Sequence, residues 1–321
     1  MSQRRLATAY LVCLAFLPII ATAPGTSEVL AASLCEHPVT EATRQRLASW
    51  DRPVVHAEIA TAWTGRCDNY CEPIVDMAES WPSDHRWATR SLARRDRFAV
   101  RTDHVRQGTA AFALDLRAED EAWEEGKYKQ ELRVAGNKRC RFGQEAWYSF
   151  SFRMDGDFPK TGSTRWIIGQ WKEETGESPF LAQRFDDGVF HITVQTNHER
   201  TTIASAGRRY KPGIPPALRR AGLLRMTPAR PPRLPDPAKG WVDMRYRVKG
   251  GRDGTGLIEV WANGRFIVRV TGKIGNDVFK GPTQYFKIGH YRNVDVPRNR
   301  FGHGTFHFDR FRRGPRRADV D

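Results

Sequence analysis

The chain has 321 residues, 40% of them apolar, with 52 Lys and Arg against 37 Asp and Glu and a formal net charge of +15. That is enough apolar material for a sizeable core in one large domain or two small ones. The charge balance points away from basic partners and toward a polyanion: nucleic acid, acidic polysaccharide or an anionic membrane surface.

The N-terminus has the form of an export signal. Arg4 and Arg5 precede an apolar run from Leu6 to Ala23, and small residues follow through Ala31 and Ala32. A membrane anchor is the competing reading, but Pro18 and the small-residue tail favour cleavage near Ala23 or Ala32 and no stable anchor. Leu34, ahead of Cys35, is too large for a lipoprotein processing site. Residues 1–33 are therefore read as a signal peptide, and the mature protein as secreted or periplasmic. Export weakens the nucleic-acid reading of the charge and favours acidic polysaccharide. Four cysteines would remain, Cys35, Cys67, Cys71 and Cys140. An even number in an exported chain suggests two disulfides, in one of three pairings. Cys67 and Cys71 resemble half of a zinc site, but no second pair has matching spacing.

Residues 34–94 are polar and irregular, with a short helix expected over Thr40–Trp50, and read as a segment tied down by disulfides. From about residue 95 strand patterns take over. They run through Phe98–Thr102, Ala110–Leu116, Tyr128–Val134, Ala146–Met154, Thr164–Trp171, Gly188–Gln195, Trp241–Val248, Gly256–Ala262, Arg265–Val270, Tyr285–Arg292 and Thr305–Phe311. Asn263-Gly264 is a hairpin signal. Many short strands and almost no helical periodicity predict an all-β domain over 95–321, a jelly-roll β-sandwich with a concave substrate groove. Gly207–Gly240 breaks the rhythm. It is rich in Arg and Pro with Asp236 as its only acid, and reads either as a basic flap over an anionic groove or as a solvated insertion.

Three strand stretches carry candidate chemistry. In Lys129-Gln-Glu-Leu-Arg133, alternation puts Lys129, Glu131 and Arg133 on one face, two cations flanking a carboxylate. In Gly169-Gln-Trp-Lys172, Gln170 and Lys172 share a face and Trp171 points to the core. In Tyr285-Phe-Lys-Ile-Gly-His-Tyr-Arg292, Tyr285, Lys287, Gly289 and Tyr291 share a face, the glycine leaving a gap for a ligand, while Phe286 and Ile288 suit a core. Other candidates are weaker. Glu119, Asp120, Glu121 and Glu124 form an acidic cluster beside Trp123, but its spacing is wrong for paired glycosidase carboxylates and it reads as a loop. No Gly-x-Ser-x-Gly or phosphate-binding glycine loop occurs.

Taken together, the three stretches resemble the motifs of jelly-roll polysaccharide lyases of the alginate lyase type, which read Arg-x-Glu-Leu-Arg, Gln-x-His and Tyr-Phe-Lys-x-Gly-x-Tyr. The wider run from Phe98 to Gly314 is similar to the heparin lyase I and glucuronan lyase group, through Trp147–Phe152, Ser178-Pro179 and Gly256–Gly264. The resemblance implies β-elimination on a uronic-acid-containing polysaccharide. Gln170 and Arg133 would bind the substrate carboxylate, and Glu131 would orient the arginine. Tyr291 would be the acid, with the base role also open to it. Lys287 would hold substrate or bias Tyr291 toward phenolate. Lys129, Tyr285 and Arg292 would complete substrate binding. Relatives often carry calcium; no calcium loop stands out here, so no cofactor is expected beyond a structural calcium. The expected protein is a monomer whose partner is an anionic polysaccharide, without nucleic acid.

Two positions depart from the pattern. Lys129 replaces the first Arg, keeping charge but losing two-pronged geometry. Lys172 replaces the catalytic His. The base is then Lys172 itself, with its pKa depressed by neighbouring cations, or Tyr291, or His191 reaching in from the strand Gly188–Gln195. Loss of catalysis, leaving a polysaccharide-binding sandwich, is the rival reading.

Overall fold

Alternation sets the architecture. In Val242–Lys249, Val242, Met244, Tyr246 and Val248 are buried, while Asp243, Arg245, Arg247 and Lys249 face outward and are partly exposed. A strand that hides every second side chain needs a second layer to hide them against. The structure, a computed structural model, supplies it as a second antiparallel sheet. It describes residues 87–92, 97–117, 120, 127–134, 139–158, 165–229, 233–278, 280–293 and 303–321. The expected signal peptide, the Thr40–Trp50 helix, Cys35, Cys67, Cys71, Trp123 and the glutamates beside it lie outside these residues. Cys140 is inside them and buried.

The strands in chain order are β1 (Trp87–Leu92), β2 (Phe98–Arg101), β3 (Ala111–Leu116), β4 (Lys127–Val134), β5 (Cys140–Arg141), β6 (Ala146–Gly156), β7 (Arg165–Glu173) and β8 (Leu181–Asp186). Then come β9 (Val189–Thr196), β10 (Glu199–Ser205), β11 (Leu224–Pro228), β12 (Val242–Lys249), β13 (Gly251–Ala262), β14 (Arg265–Ile274), β15 (Thr283–Asn293) and β16 (Gly304–Gly314). One sheet runs β1-β4-β15-β7-β8-β9-β10, with β5 also pairing β15. The other, the back sheet, runs β11-β14-β13-β12-β6-β16-β3-β2. Neighbours in both are antiparallel. This is the jelly-roll β-sandwich expected. No helix among the described residues is long and apolar enough to cross a membrane.

Aromatic rings fill the space between the layers. Tyr148 of β6 meets Trp171 of β7 and Phe286 of β15 at centroid distances of 5.6 and 5.4 Å. Trp171 packs 4.6 Å from Tyr246 of β12, whose hydroxyl accepts from Gln183 Nε2 at 2.8 Å. Phe286 and Ile288 are fully buried, as alternation predicts, and burying each side chain stabilises by roughly 1.5–3 kcal/mol. This packing fixes which way β15 faces, so Tyr285, Lys287 and Tyr291 must point out of the sandwich.

Five strands escape the sequence reading, one of them the two-residue β5. β8 is half polar, with Gln183, Arg184 and Asp186, yet all six of its residues are buried, so its sequence does not read as a strand of the interior. β10 is rich in polar residues, and β1 falls in the segment read as irregular. β11 lies inside Gly207–Gly240, which is neither a free flap nor a solvated insertion. Its short helix α1 (Pro216–Arg220) buries Leu218, β11 pairs with β14 and buries Leu224, and Leu234 is buried too. These leucines anchor the segment, while Arg208, Arg209, Arg219, Arg220, Arg225 and Arg233 remain exposed. Asn263 and Gly264 turn the β13–β14 hairpin with φ of 49° and 74°, as their sequence predicts.

Candidate active site

Three neighbouring strands bring the three stretches together. β15 lies between β4 and β7, and Lys287 sits opposite Arg133 on one side and Gln170 on the other. Tyr291 pairs with Lys129, and Tyr285 with Lys172. A register irregularity between Ile288 and Tyr291 sets Tyr291 opposite Ile167 of β7. The result is one cavity lined by Lys129, Glu131, Gln170, Lys172, Lys287 and Tyr291. A second hollow, formed by Arg133, Arg139, Glu174, Lys280 and Tyr285, shares Gly176 with the first. Together they make a cleft along the sheet.

Glu131 is the hub of the cavity floor. It is almost fully buried, and its two oxygens accept from Gln170 Nε2 and, at 2.9 Å, from Lys287 Nζ. A buried carboxylate without partners would be costly; here it is held by an amide and an ammonium from two different strands. Glu131 thus positions Gln170 and Lys287. Arg133 instead lies beside Tyr285, its guanidinium carbon 5.7 Å from the ring centroid, with Arg139 at 4.6 Å. Arg139 is itself tied to Glu174 at 2.5 Å. Lys129 Nζ is 6.0 Å from the Tyr291 ring centroid.

Lys172 is the most perturbed group in the cavity. Burial, then the ammonium charge of Lys287, draws its pKa down to about 8, with Lys129 adding to the shift and Glu131 opposing it. A useful fraction of this amine is neutral in mildly alkaline solution and can accept a proton. The remaining charges favour anions. Lys129, Lys172, Arg184, Arg200 and Lys287 line the cavity against Glu131 and Glu177, five basic groups to two acidic ones.

Three sequence expectations are corrected. Arg292 does not face the cleft. It is 1% exposed, and its guanidinium carbon lies 4.1 Å from the Tyr128 ring centroid and 5.5 Å from that of Trp166. One step along a strand reverses the face, so the neighbour of Tyr291 must point inward. Gly289 is not a gap for ligand. Its φ is +143°, and a Cβ there would collide with the Gln130 carbonyl and lie 2.8 Å from the Glu131 Cα. It permits the irregularity that sets Tyr291. His191 does not line the cavity. It is buried beneath Tyr210, the rings stacked at 4.0 Å, with Nδ1 3.1 Å from the Val189 carbonyl. Burial holds its pKa down to about 4. Asp120 is likewise structural, accepting from Arg97 at 2.7 and 2.9 Å.

Arg184 and Arg200 were missed. Arg184 is nearly buried on β8, its Nε donating to Thr193 Oγ1 at 3.0 Å while the residue lines the cavity. An arginine within an otherwise strand-like run was the available signal. The loop Gly176–Pro179 supplies another wall.

Comparison with known proteins identifies a family. A family model described as polysaccharide lyase matches residues 78–312. Among solved structures, an endo-β-1,4-glucuronan lyase from the fungus Trichoderma reesei is 18% identical, with 70% of this chain and 89% of that one covered and a TM-score of 0.49. An alginate lyase of polysaccharide lyase family 7 is 19% identical over 66% of this chain and 80% of that one, with a TM-score of 0.41. No curated protein matches this chain in sequence.

Proposed function

Because the chain belongs to the polysaccharide lyase family, we propose that it cleaves a uronic-acid-containing polysaccharide by β-elimination in the cleft around Glu131. The proton beside a uronate carboxylate is weakly acidic, because its removal spreads a second negative charge onto that carboxylate. Neutralising the carboxylate is therefore the first requirement. Gln170 and Lys287, held by Glu131, take that role, with Arg133 and Lys129 adding positive charge along the chain of the polymer. Lys172 in its neutral form removes the proton at C5. The electron pair becomes the C4=C5 double bond, the bond from C4 to the glycosidic oxygen breaks, and the Tyr291 hydroxyl protonates the departing oxygen. The products are a shortened polymer and an unsaturated uronate at the new end.

The observation that carries this reading is the meeting in one cavity of an amine with a pKa near 8, a phenol and a carboxylate-held amide–ammonium pair. The test is ultraviolet absorbance of the new double bond on a panel of glucuronan, alginate and glycosaminoglycans. A rise on at least one polyuronate is expected. Binding without any rise across the panel would leave a carbohydrate-binding protein and overturn the reading. The same proposal places the mature chain outside the cytoplasm, as a monomer with its four cysteines paired. Intact mass after thiol labelling without reductant checks that pairing: four free thiols would refute it.

A further inference from the structure

We propose that His104, Asp155 and His307 form a binding site for one divalent transition-metal ion, with Zn²⁺ as the reference ion, on the outer face of the back sheet. The site stands apart from the cleft. His307 of β16 and Asp155 of β6 belong to paired strands, offset by two residues in register, and their neighbours Phe306, Phe308 and Met154 point into the core. His104 arrives from the loop between β2 and β3. One ligand atom from each of the three lies within 4.8 Å of the others. His307 Nε2 is 3.0 Å and His104 Nε2 3.5 Å from the same oxygen, Asp155 Oδ2. A metal bound at ordinary Zn–N and Zn–O lengths holds its ligand atoms about 3.3 Å apart. The three are therefore close to coordinating positions without movement of any strand.

The hydrogen bonding agrees. Asp155 Oδ1 accepts from Arg153 Nε at 3.1 Å and Nη2 at 2.6 Å, which fixes the carboxylate and leaves Oδ2 turned toward the two imidazoles. Oδ2 is buried and has no hydrogen-bond partner, so neither imidazole meets it with donor geometry. Two rings converging on one oxygen without hydrogen bonds fit lone pairs directed at a shared ion better than two competing ion pairs. Arg153 is then the outer group that orients a ligating carboxylate. Two imidazoles and a carboxylate suit Zn²⁺ or its transition-metal neighbours; Ca²⁺ and Mg²⁺ prefer oxygen throughout. Three protein ligands leave a fourth position for water, reached past the partly exposed His104 and Asp155. The ion would pin the β2–β3 loop to the β6–β16 pair, a structural role.

The full chain, stripped with chelator, is titrated with ZnCl₂ and separately with CaCl₂ by calorimetry and thermal unfolding. One Zn²⁺ per chain is expected, with Tm rising by about 5 °C or more at saturating metal, and no comparable response to Ca²⁺. Co²⁺ substitution should give visible absorption bands. His104→Gln removes a partly exposed ligand and should fold normally while losing the Zn²⁺ response; His307→Gln should lose it too. Absence of Zn²⁺ binding, or binding undiminished in His104→Gln, overturns the site.

Discussion

Lys172 stands where the motif that this sequence resembles has a histidine, and its chemistry is open to a direct kinetic test. An amine whose pKa is drawn down to about 8 is protonated and inactive below that pH and becomes a base above it. kcat/KM should therefore rise with pH through about 8 and level off beyond. Lys172→His replaces the amine with an imidazole of ordinary pKa near 6.5, so the rising limb should move to lower pH. Lys172→Arg, always protonated, should abolish turnover. A wild-type profile with no rise near pH 8, or one unchanged in Lys172→His, would remove Lys172 as the base. Tyr291→Phe deletes the proposed proton donor but keeps the ring beside Lys129. Turnover should fall by roughly 10²–10⁴ with polymer affinity largely retained, and full activity in that variant would refute the assignment. Strand alternation alone had set Lys129, Glu131, Lys287 and Tyr291 on shared faces, because one buried neighbour such as Phe286 decides a whole strand. The same alternation puts Arg292, which the resemblance assigned to substrate binding, on the inward face where the fold has it. His191 was different. Only the folded chain brings Tyr210 over it, and nothing in the local sequence announces such a cover.

At the scale of elements, the site depends on one irregularity in β15. The extra β15 residue shifts Tyr291 by one position along β7, to a place opposite Ile167, while its register with β4 stays unbroken. Gly289 makes the irregularity possible, at a φ where a side chain is strained and in a space where a Cβ meets the neighbouring strand's backbone. Backbone atoms of a paired strand cannot swing aside as a flexible side chain can. Gly289→Ala should therefore destabilise by about 2 kcal/mol or more and reduce kcat by disturbing Tyr291, read by denaturant unfolding and single-substrate kinetics. A substitution neutral in both would show that β4 and β15 tolerate separation. Regular β12, the β13–β14 hairpin and the Trp171 core position were legible because polarity alternates or turn residues stand out. β8 was not, since its polar residues Gln183, Arg184 and Asp186 are buried against the fold rather than set on a solvent face, and with it went Arg184. The leucines that anchor β11 and α1 were masked by the arginines around them.

For the whole molecule, the net charge of +15 matters through where it lies. The cavity around Glu131 carries five basic side chains against two acids, and in the second hollow Arg133, Arg139 and Lys280 outnumber Glu174 and extend the positive run past Gly176. On the proposed function a polyanion would meet this face first through long-range attraction and only then through specific contacts, so capture should be sensitive to salt while the buried pair Glu131–Lys287 is not. Raising ionic strength from about 0.01 to about 1 M shortens the screening length from about 30 to about 3 Å. KM for a polyuronate should rise several-fold over that range, and kcat should change much less, because the Glu131–Lys287 pair on the cavity floor is buried and in contact at 2.9 Å, out of reach of salt. The opposite pattern, a flat KM with falling kcat, would mean that surface charge does not recruit substrate and that salt instead disrupts the cavity. The exposed arginines of Gly207–Gly240 do not line the cavity. Neutralising Arg219 and Arg220 should therefore leave kcat intact and move only the salt dependence, which separates a recruiting surface from a catalytic one.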